Sequence, residues 1–319
     1  MRLILKRVLA WAGTCMAGLL LYFFALPLVL QTGWAVSMKL RQKAPECSWA
    51  NTLRFHLGMK QFTDYYGRAK ASVRVVASDS NWNLQYAAVQ NRRSFWMRPT
   101  GFPLAESLGY IIAEQDWTAN FDPGDSVHPG DVVLDCGAHV GVFTSKALEL
   151  GASKVISIEP DPTNIECLRR NFAPEIREGR VVIVPKAVWN KEGTMTMMLG
   201  VNGDTGRNSL VTHQDGGSIQ VPLTTLDKIV EELSVDKVNF IKMDIEGSER
   251  EALRGGVNLL KKWRPRLMVD MYHLEDDTRV IPVVLREAWK DYQEICGPCQ
   301  LRTPTDPRSD LVPHMVFFR

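Results

Sequence analysis

Cysteine is scarce in this sequence. Six residues among 319 (Cys15, Cys47, Cys136, Cys167, Cys296 and Cys299) are too few and too irregularly spaced for a secreted disulfide framework, so a reducing compartment is the expected setting. Acidic residues are missing from the first 43 positions, which hold six Lys/Arg. Beyond them 32 basic residues face 36 acidic ones, a balance of −4 that argues against a phosphate-binding body and against nucleic acid as a partner. Charge of either sign is missing from Val8 to Met38, and as a helix this run exceeds the roughly 30 Å of bilayer hydrocarbon. A transmembrane helix over about residues 8–36 is therefore expected, making the protein a single-pass membrane protein. A cleaved signal peptide is the alternative, disfavoured by the length of the run and the lack of a clear small-x-small cleavage site. Arg2, Lys6 and Arg7 on one side balance Lys39, Arg41 and Lys43 on the other, so charge alone does not orient the span.

What is present is apolar material for one large domain: 45% of residues are hydrophobic and 23% charged. The expected organisation is an anchor over residues 1–43, a small N-terminal cap or lead-in over 44–125, and a catalytic domain over 126–319. The lead-in is aromatic and has no sustained period; its rings read as core rather than as a sugar platform. The turn-rich FDPGDSVHPGD marks its end. Apolar runs then alternate with amphipathic stretches, the pattern of a parallel sheet covered by helices. Strands are expected at 132–136, 154–159, 181–184, 195–199, 219–223, 238–245 and 267–272, with a last one in HMVFFR. Helices are expected at 140–150, 162–172, 226–233 and 278–289. Asp161 supplies an N-cap before Pro162, and Ser248 with Glu251 reads as a capping box.

The most informative segment is VVLDCGAHVGVF, in which a strand ends in Asp135, a tight turn carries Gly137 and Gly141, and a helix begins. The G-x-x-x-G spacing departs from the G-x-G-x-x-G of pyrophosphate loops, and an acid two residues before the first glycine would repel a pyrophosphate. It suits a cofactor bearing an ammonium and a sulfonium, S-adenosylmethionine. Glu159 closes the next strand, 22 residues after Gly137, where an acid can accept hydrogen bonds from ribose hydroxyls. Asp135 and Glu159 would thus form a negatively charged rim. Taken singly, the glycines also read as turn residues and Glu159 as an acid favoured by the following helix dipole.

DCGAHVG, SIEPDP, TTLD at Thr224–Asp227 and above all IKMDIEGSE at Ile241–Glu249 resemble the FkbM family of S-adenosylmethionine-dependent methyltransferases. The resemblance covers about Gly130 to Tyr272. It implies an α/β fold, the Rossmann-like class I methyltransferase sheet, with the cofactor over the carboxyl ends of the strands. Cofactor contacts would come from Asp135, Gly137, Ala138, His139, Gly141, Glu159 and Asp161. Cys136 and His139 depart from the family's usual Val or Ile and Asn. A hydroxyl acceptor must be positioned and must lose a proton. Asp244 is the leading candidate for those tasks, with Glu246 as its neighbour, a metal ligand, or a group that satisfies loop N–H groups. His273 follows the next strand and is a third catalytic candidate, though a lone histidine there is more often at the surface. No metal is assigned.

The glycine-rich stretch 200–218 is either a lid carrying Asn208 and Ser209 or a hairpin excursion. Cys296-Gly-Pro-Cys299 is a lone C-x-x-C, read as a turn bearing two thiols. Lys261, Lys262, Arg264 and Arg266 read as a solvated helix end. The resulting expectation is an O-methyltransferase for a sugar, glycan, glycolipid or other small hydroxylated acceptor. It is held by the lipid bilayer with its catalytic domain on the cytoplasmic side, where the methyl donor is made. The alternatives are a nicotinamide-dependent oxidoreductase, disfavoured by the glycine spacing, and a non-catalytic membrane adaptor that keeps the fold.

Overall fold

The computed structural model describes residues 26–44, 47–121, 124, 126–301 and 310–319. The chain divides into two compact units: residues 1–60 with 298–312, and residues 61–297 with 313–319. Residues 61–121 of the expected lead-in thus belong to the unit that holds the catalytic sheet, and the expected boundaries at 43/44 and 125/126 do not coincide with this division. In the first unit, Ala35, Met38, Cys47, Cys299 and Leu311 share a small apolar cluster. Cys299 is disulfide-bonded to Cys47, 252 residues away. The C-x-x-C is therefore not a turn bearing two thiols, and the bond counts against the expected reducing setting. A bond of this kind is characteristic of oxidising compartments, and its partners are too far apart in sequence for spacing to reveal.

The transmembrane helix expected over about 8–36 falls mostly on residues 1–25, outside the described residues. Its described part lies in the helix Leu26–Leu40, 15 residues or about 22 Å of rise. Among the described residues no helix is long and apolar enough to cross a membrane.

In the second unit the lead-in forms an antiparallel sheet of β1 (Val73–Asp79), β2 (Leu84–Val89) and β3 (Phe95–Met97), followed by the helix Leu104–Ala119. Phe95, Trp117 and the half-buried Phe62, Tyr65 and Tyr66 pack inward, as expected of core rings; Trp82 stays exposed. The main sheet is built from β4 (Val132–Cys136), β5 (Lys154–Ile158), β6 (Val181–Val184), and, after β7 (Ala187–Val188), β8 (Gly193–Met198) and β9 (Ser218–Thr224), from β10 (Phe240–Met243) and β11 (Arg266–Asp270). It is completed by β12 (Glu294–Cys296) and, after β13 (Cys299–Leu301) and β14 (Leu311–Pro313), by β15 (Met315–Phe318). The order is β12-β15-β11-β10-β4-β5-β6, with β15 antiparallel to both neighbours. This is a methyltransferase-like α/β fold with a mixed sheet. Strand order reverses between β4 and β10, so the crevice beyond their carboxyl ends is where a ligand is expected.

The pleat sorts the residues. Leu134, Ile241, Leu267 and Val269 pack on one face against Leu253, Leu260, Ile281 and Leu285 of the covering helices. Val133, Phe240 and Met268 face the other side with Phe143 and Ala147 of the helix Val142–Glu149. By the same alternation Asp135, Lys242 and Asp270 share that second face, at the carboxyl ends of three adjacent strands. Asp161 caps its helix as expected, accepting from Thr163 N at 2.7 Å and Asn164 N at 3.1 Å. The capping box does not form: Ser248 Oγ is buried without a hydrogen-bond partner, and Glu249 instead accepts from Ile245 N at 2.9 Å. The expected strand 238–245 is shortened to Phe240–Met243 because the chain turns at once after Asp244.

Candidate active site

Two turns meet at the switch point. The turn after β4 puts Gly137, His139 and Gly141 at φ of 78°, 51° and 92°; the turn after β10 puts Glu246 and Gly247 at 52° and 99°. Five left-handed residues in two adjacent turns mark a place where structure is held against local preference, a pattern that clusters at functional sites. A Cβ on Gly137 would stand 2.0 Å from the Asp244 carbonyl oxygen, and one on Gly141 would stand 2.2 Å from the Phe172 ring. The first glycine therefore lets one turn rest on the other, and the second lets the helix Val142–Glu149 pack.

Asp135 is not a rim residue. Its side chain is fully buried beneath the turn, where Oδ2 accepts from Thr144 Oγ1 at 2.7 Å and Oδ1 lies 3.8 Å from Lys242 Nζ. Burial pushes its pKa up, against the pull of Lys242. Lys242 is also buried, donates to the Gly137 carbonyl at 3.1 Å and lies 3.6 Å from Asp244 Oδ2. Desolvation would lower its pKa, but Asp244 and Asp135 outweigh it and hold the ammonium charged. This lysine, passed over in the sequence, ties both turns together. A charged residue inside an otherwise apolar central strand is the signal that could have found it.

Glu159 sits at the end of β5 as expected. Its carboxylate accepts from His139 N at 2.8 Å, Asp161 N at 2.9 Å and Asn164 Nδ2 at 3.3 Å. Burial pushes its pKa up to about 7. Ala138 is buried within the turn, its N–H donating to Ile158 O at 3.1 Å. His139 is neutral, with a pKa lowered by burial to about 4, and its Nε2 lies 3.0 Å from Thr205 Oγ1. Thr205 belongs to the polar segment 199–217, which also donates from Asn208 Nδ2 to Asp161 Oδ2 at 2.8 Å and from Ser209 Oγ to the Glu246 carbonyl at 2.6 Å. The segment is the loop of the β8–β9 hairpin and is fastened to both turns. Two surface hollows of about 650 and 660 Å³, around Arg93 and around Asp227, lie away from it.

Asp244 and Glu246 do converge, through the left-handed turn rather than through extended strand. Each side chain is about one quarter exposed, and they lie 3.8 and 3.6 Å from His273 Nε2. His273 is no surface residue: its side chain is 6% exposed and Nδ1 lies 3.0 Å from Glu249 Oε1. Burial raises the pKa of Asp244, but Lys242 and His273 more than reverse this and keep it ionised. Glu246 is pushed by burial, with Asp244 and Glu249 adding to it, to about 7. Asp270, at the end of β11, is fully buried beside them. Glu114, from the helix Leu104–Ala119, and His314 lie 3.3 Å apart, with pKa values shifted by burial to about 8 and about 4. The sequence carries an acid at the end of each of β4, β10 and β11, so Asp270 was within reach of pattern; Glu114 and His314 come from distant, unpatterned stretches.

The description "Methyltransferase FkbM domain" matches residues 135–295. The 31-O-demethyl-FK506 methyltransferase FkbM of Streptomyces tacrolimicus is 29% identical over 162 residues, covering 41% of this chain and 62% of that protein. The hexuronic acid methyltransferase AglP of Haloferax volcanii is 25% identical over 158 residues, covering 50% of this chain and 62% of that protein. The matched stretch thus spans about three fifths of the length of these curated relatives. A crystal structure of a methyltransferase FkbM from Methylobacillus flagellatus is similar at 18% identity and a TM-score of 0.42, over 85% of this chain and 60% of that one. With the domain matched across half of its length, over the strands and turns just described, the chain belongs to the FkbM methyltransferase family.

Proposed function

We propose that the protein is an S-adenosylmethionine-dependent O-methyltransferase acting on a sugar or another small hydroxylated acceptor. The observation that carries this reading is the split between two neighbouring carboxylates, Asp244 held ionised and Glu246 poised near neutrality, on the turn that rests on Gly137. The donor set around the glycine turn fits the cofactor in chemistry. Glu159 is an acid with lone pairs beyond its three N–H donors, suited to ribose hydroxyls, and Asp161, Asp244 and Glu246 favour a cationic ligand. When bound, the cofactor supplies an electrophilic methyl group on a sulfonium. Asp244 would orient the acceptor hydroxyl and Glu246 would take up its proton, while the carbon–sulfur bond that breaks would leave the demethylated cofactor as a neutral thioether. Lys242 keeps Asp244 charged and fixed, so most of the rate comes from positioning. The segment 199–217 closes the site against water through Thr205, Asn208 and Ser209. The oxygen acceptor draws on the relatives, whose names specify a 31-O-demethyl-FK506 and a hexuronic acid substrate.

The test is transfer of labelled methyl into a membrane glycolipid extract, with cofactor binding followed by calorimetry. Asp244→Asn is expected to lower transfer by about 100-fold or more while cofactor binding persists. Full transfer, or loss of both together, overturns the assignment. Cofactor binding by the wild type without transfer to any extract identifies an adaptor instead, and thermal stabilisation by NAD rather than S-adenosylmethionine identifies an oxidoreductase. We further assign the apolar run over about residues 8–36 to the bilayer and the catalytic unit to the cytoplasmic side. That orientation requires the fold to survive reduction of Cys47–Cys299, and a carboxyl-terminal reporter found outside the cytoplasm sinks it.

A further inference from the structure

We infer that Asp244, Asp270 and His273 form the binding site of one divalent cation at the mouth of the acceptor crevice. One ligand atom from each lies within 4.8 Å of the others. Around a cation with bonds of about 2.1 Å, ligand atoms stand ~3 Å apart when adjacent and ~4.2 Å when opposed, and the Asp244–His273 pair at 3.8 Å already lies between those spacings.

The second observation is the unsatisfied imidazole. His273 Nε2 is buried with no hydrogen-bond partner, on a side chain only 6% exposed. Its other nitrogen is 3.0 Å from an oxygen of the fully buried Glu249 carboxylate, so Nδ1 carries a proton. Nε2 faces the carboxylates of Asp244 and Glu246 at 3.8 and 3.6 Å, too far for a hydrogen bond to either. Burial lowers the pKa of the ring, but Asp270 and Glu249 more than reverse this, so without a metal Nε2 holds a proton that makes no hydrogen bond. A divalent cation would take that proton's place among the carboxylates. A carboxylate that holds the far nitrogen of a histidine is also how metal-ligating imidazoles are oriented.

Asp244 divides its oxygens accordingly. Oδ2 faces Lys242 at 3.6 Å, and Oδ1 faces His273. Two carboxylate oxygens and one imidazole nitrogen suit a borderline ion such as Mn²⁺ better than Ca²⁺, which prefers oxygen alone. The remaining coordination positions point to water or an acceptor oxygen. Polarisation of that oxygen rests on the transferase reading; the binding of the ion does not.

The experiment is titration of the full-length chain with Mn²⁺, followed by the paramagnetic signal of the free ion and by spin-echo modulation from directly bound ¹⁴N. One saturable ion per chain and modulation from one nitrogen are expected. Asp270→Asn and His273→Ala are expected to weaken binding by at least about tenfold, and Glu249→Gln by about tenfold through misorientation of the imidazole. Melting curves identify the variants that fold, and the nitrogen signal of the wild type stands if none does. Absence of saturable binding, binding without nitrogen modulation, or unchanged binding in folded Asp270→Asn and His273→Ala overturns the site; an imidazolium ion-paired at Nε2 gives the first of these results. S-adenosylmethionine affinity on the same samples separates the two readings. Ion without donor binding sinks the transferase alone, and donor without ion binding sinks the cation site alone.

Discussion

The turn after β4 and the turn after β10 lie side by side, are built from the same left-handed backbone, and treat their charges in opposite ways. In the first, Thr144 donates to Asp135 Oδ2 and Glu159 takes three N–H donors from its own surroundings, leaving only Asp135 Oδ1, 3.8 Å from Lys242, without a hydrogen bond. In the second, Asp244, Glu246 and His273 Nε2 all face one another beyond hydrogen-bond distance. Buried polar groups are ordinarily partnered, so the turn that satisfies most of its own is a scaffold and the one that satisfies fewer has groups left for a ligand. Lys242, serving both, is the hinge of the comparison.

Removing that lysine should do the most damage. Lys242→Met leaves Asp135 buried without its cation and is expected to cost about 3–5 kcal/mol in urea unfolding. A loss under 1 kcal/mol would show that Asp135 is carried by Thr144 alone. Gly137→Ala forces a side chain onto the Asp244 carbonyl at a φ of 78°, and is expected to cost about 3 kcal/mol and to impair both turns together. Selective loss of donor binding would mean that the turns are independent.

Glu159 sharpens the contrast through pH. With its folded pKa raised by burial to about 7, its contribution to stability is present below about 4.5 and is lost as pH rises towards 7. Donor affinity should run the other way, strengthening as pH rises through about 7, where the folded carboxylate ionises. Glu159→Gln is expected to flatten both curves and weaken the donor about tenfold; a pH dependence that survives the substitution points to another group. Asn208→Ala, which cuts one contact of the segment 199–217, is expected to cost only about 1 kcal/mol of donor binding, measured by calorimetry.

The scaffold turn was the legible one. Its glycines, the acid at the end of β5 and the cap at Asp161 are local devices written in consecutive residues. The other turn was legible only in part. Asp244 and Glu246 stand out in IKMDIEGSE, but the bend that joins them depends on Glu246 adopting a conformation ordinarily left to glycine, which composition does not announce. The capping box at Ser248 failed because Glu249, two residues earlier than Glu251, was drawn back to the Ile245 N–H and to His273. Asp135 misled for a physical reason as well. Its position in the motif is right, yet the register of β10 against β4 sets Lys242 directly beside it and turns it inward, and register is a property of two strands. Glu114, Thr205 and His314 reach the site from a helix, an insertion and the link between β14 and β15, and only the folded chain brings them there.

Contact between the Gly137 α-carbon and the Asp244 carbonyl leaves no slack for a side chain between the two turns. A shift imposed on either by an incoming molecule is handed straight to the other. With the proposed methyl donor and acceptor each touching one of the turns, occupancy at one side would alter affinity at the other by an equal and reciprocal factor, and the two would bind as linked partners rather than independent guests.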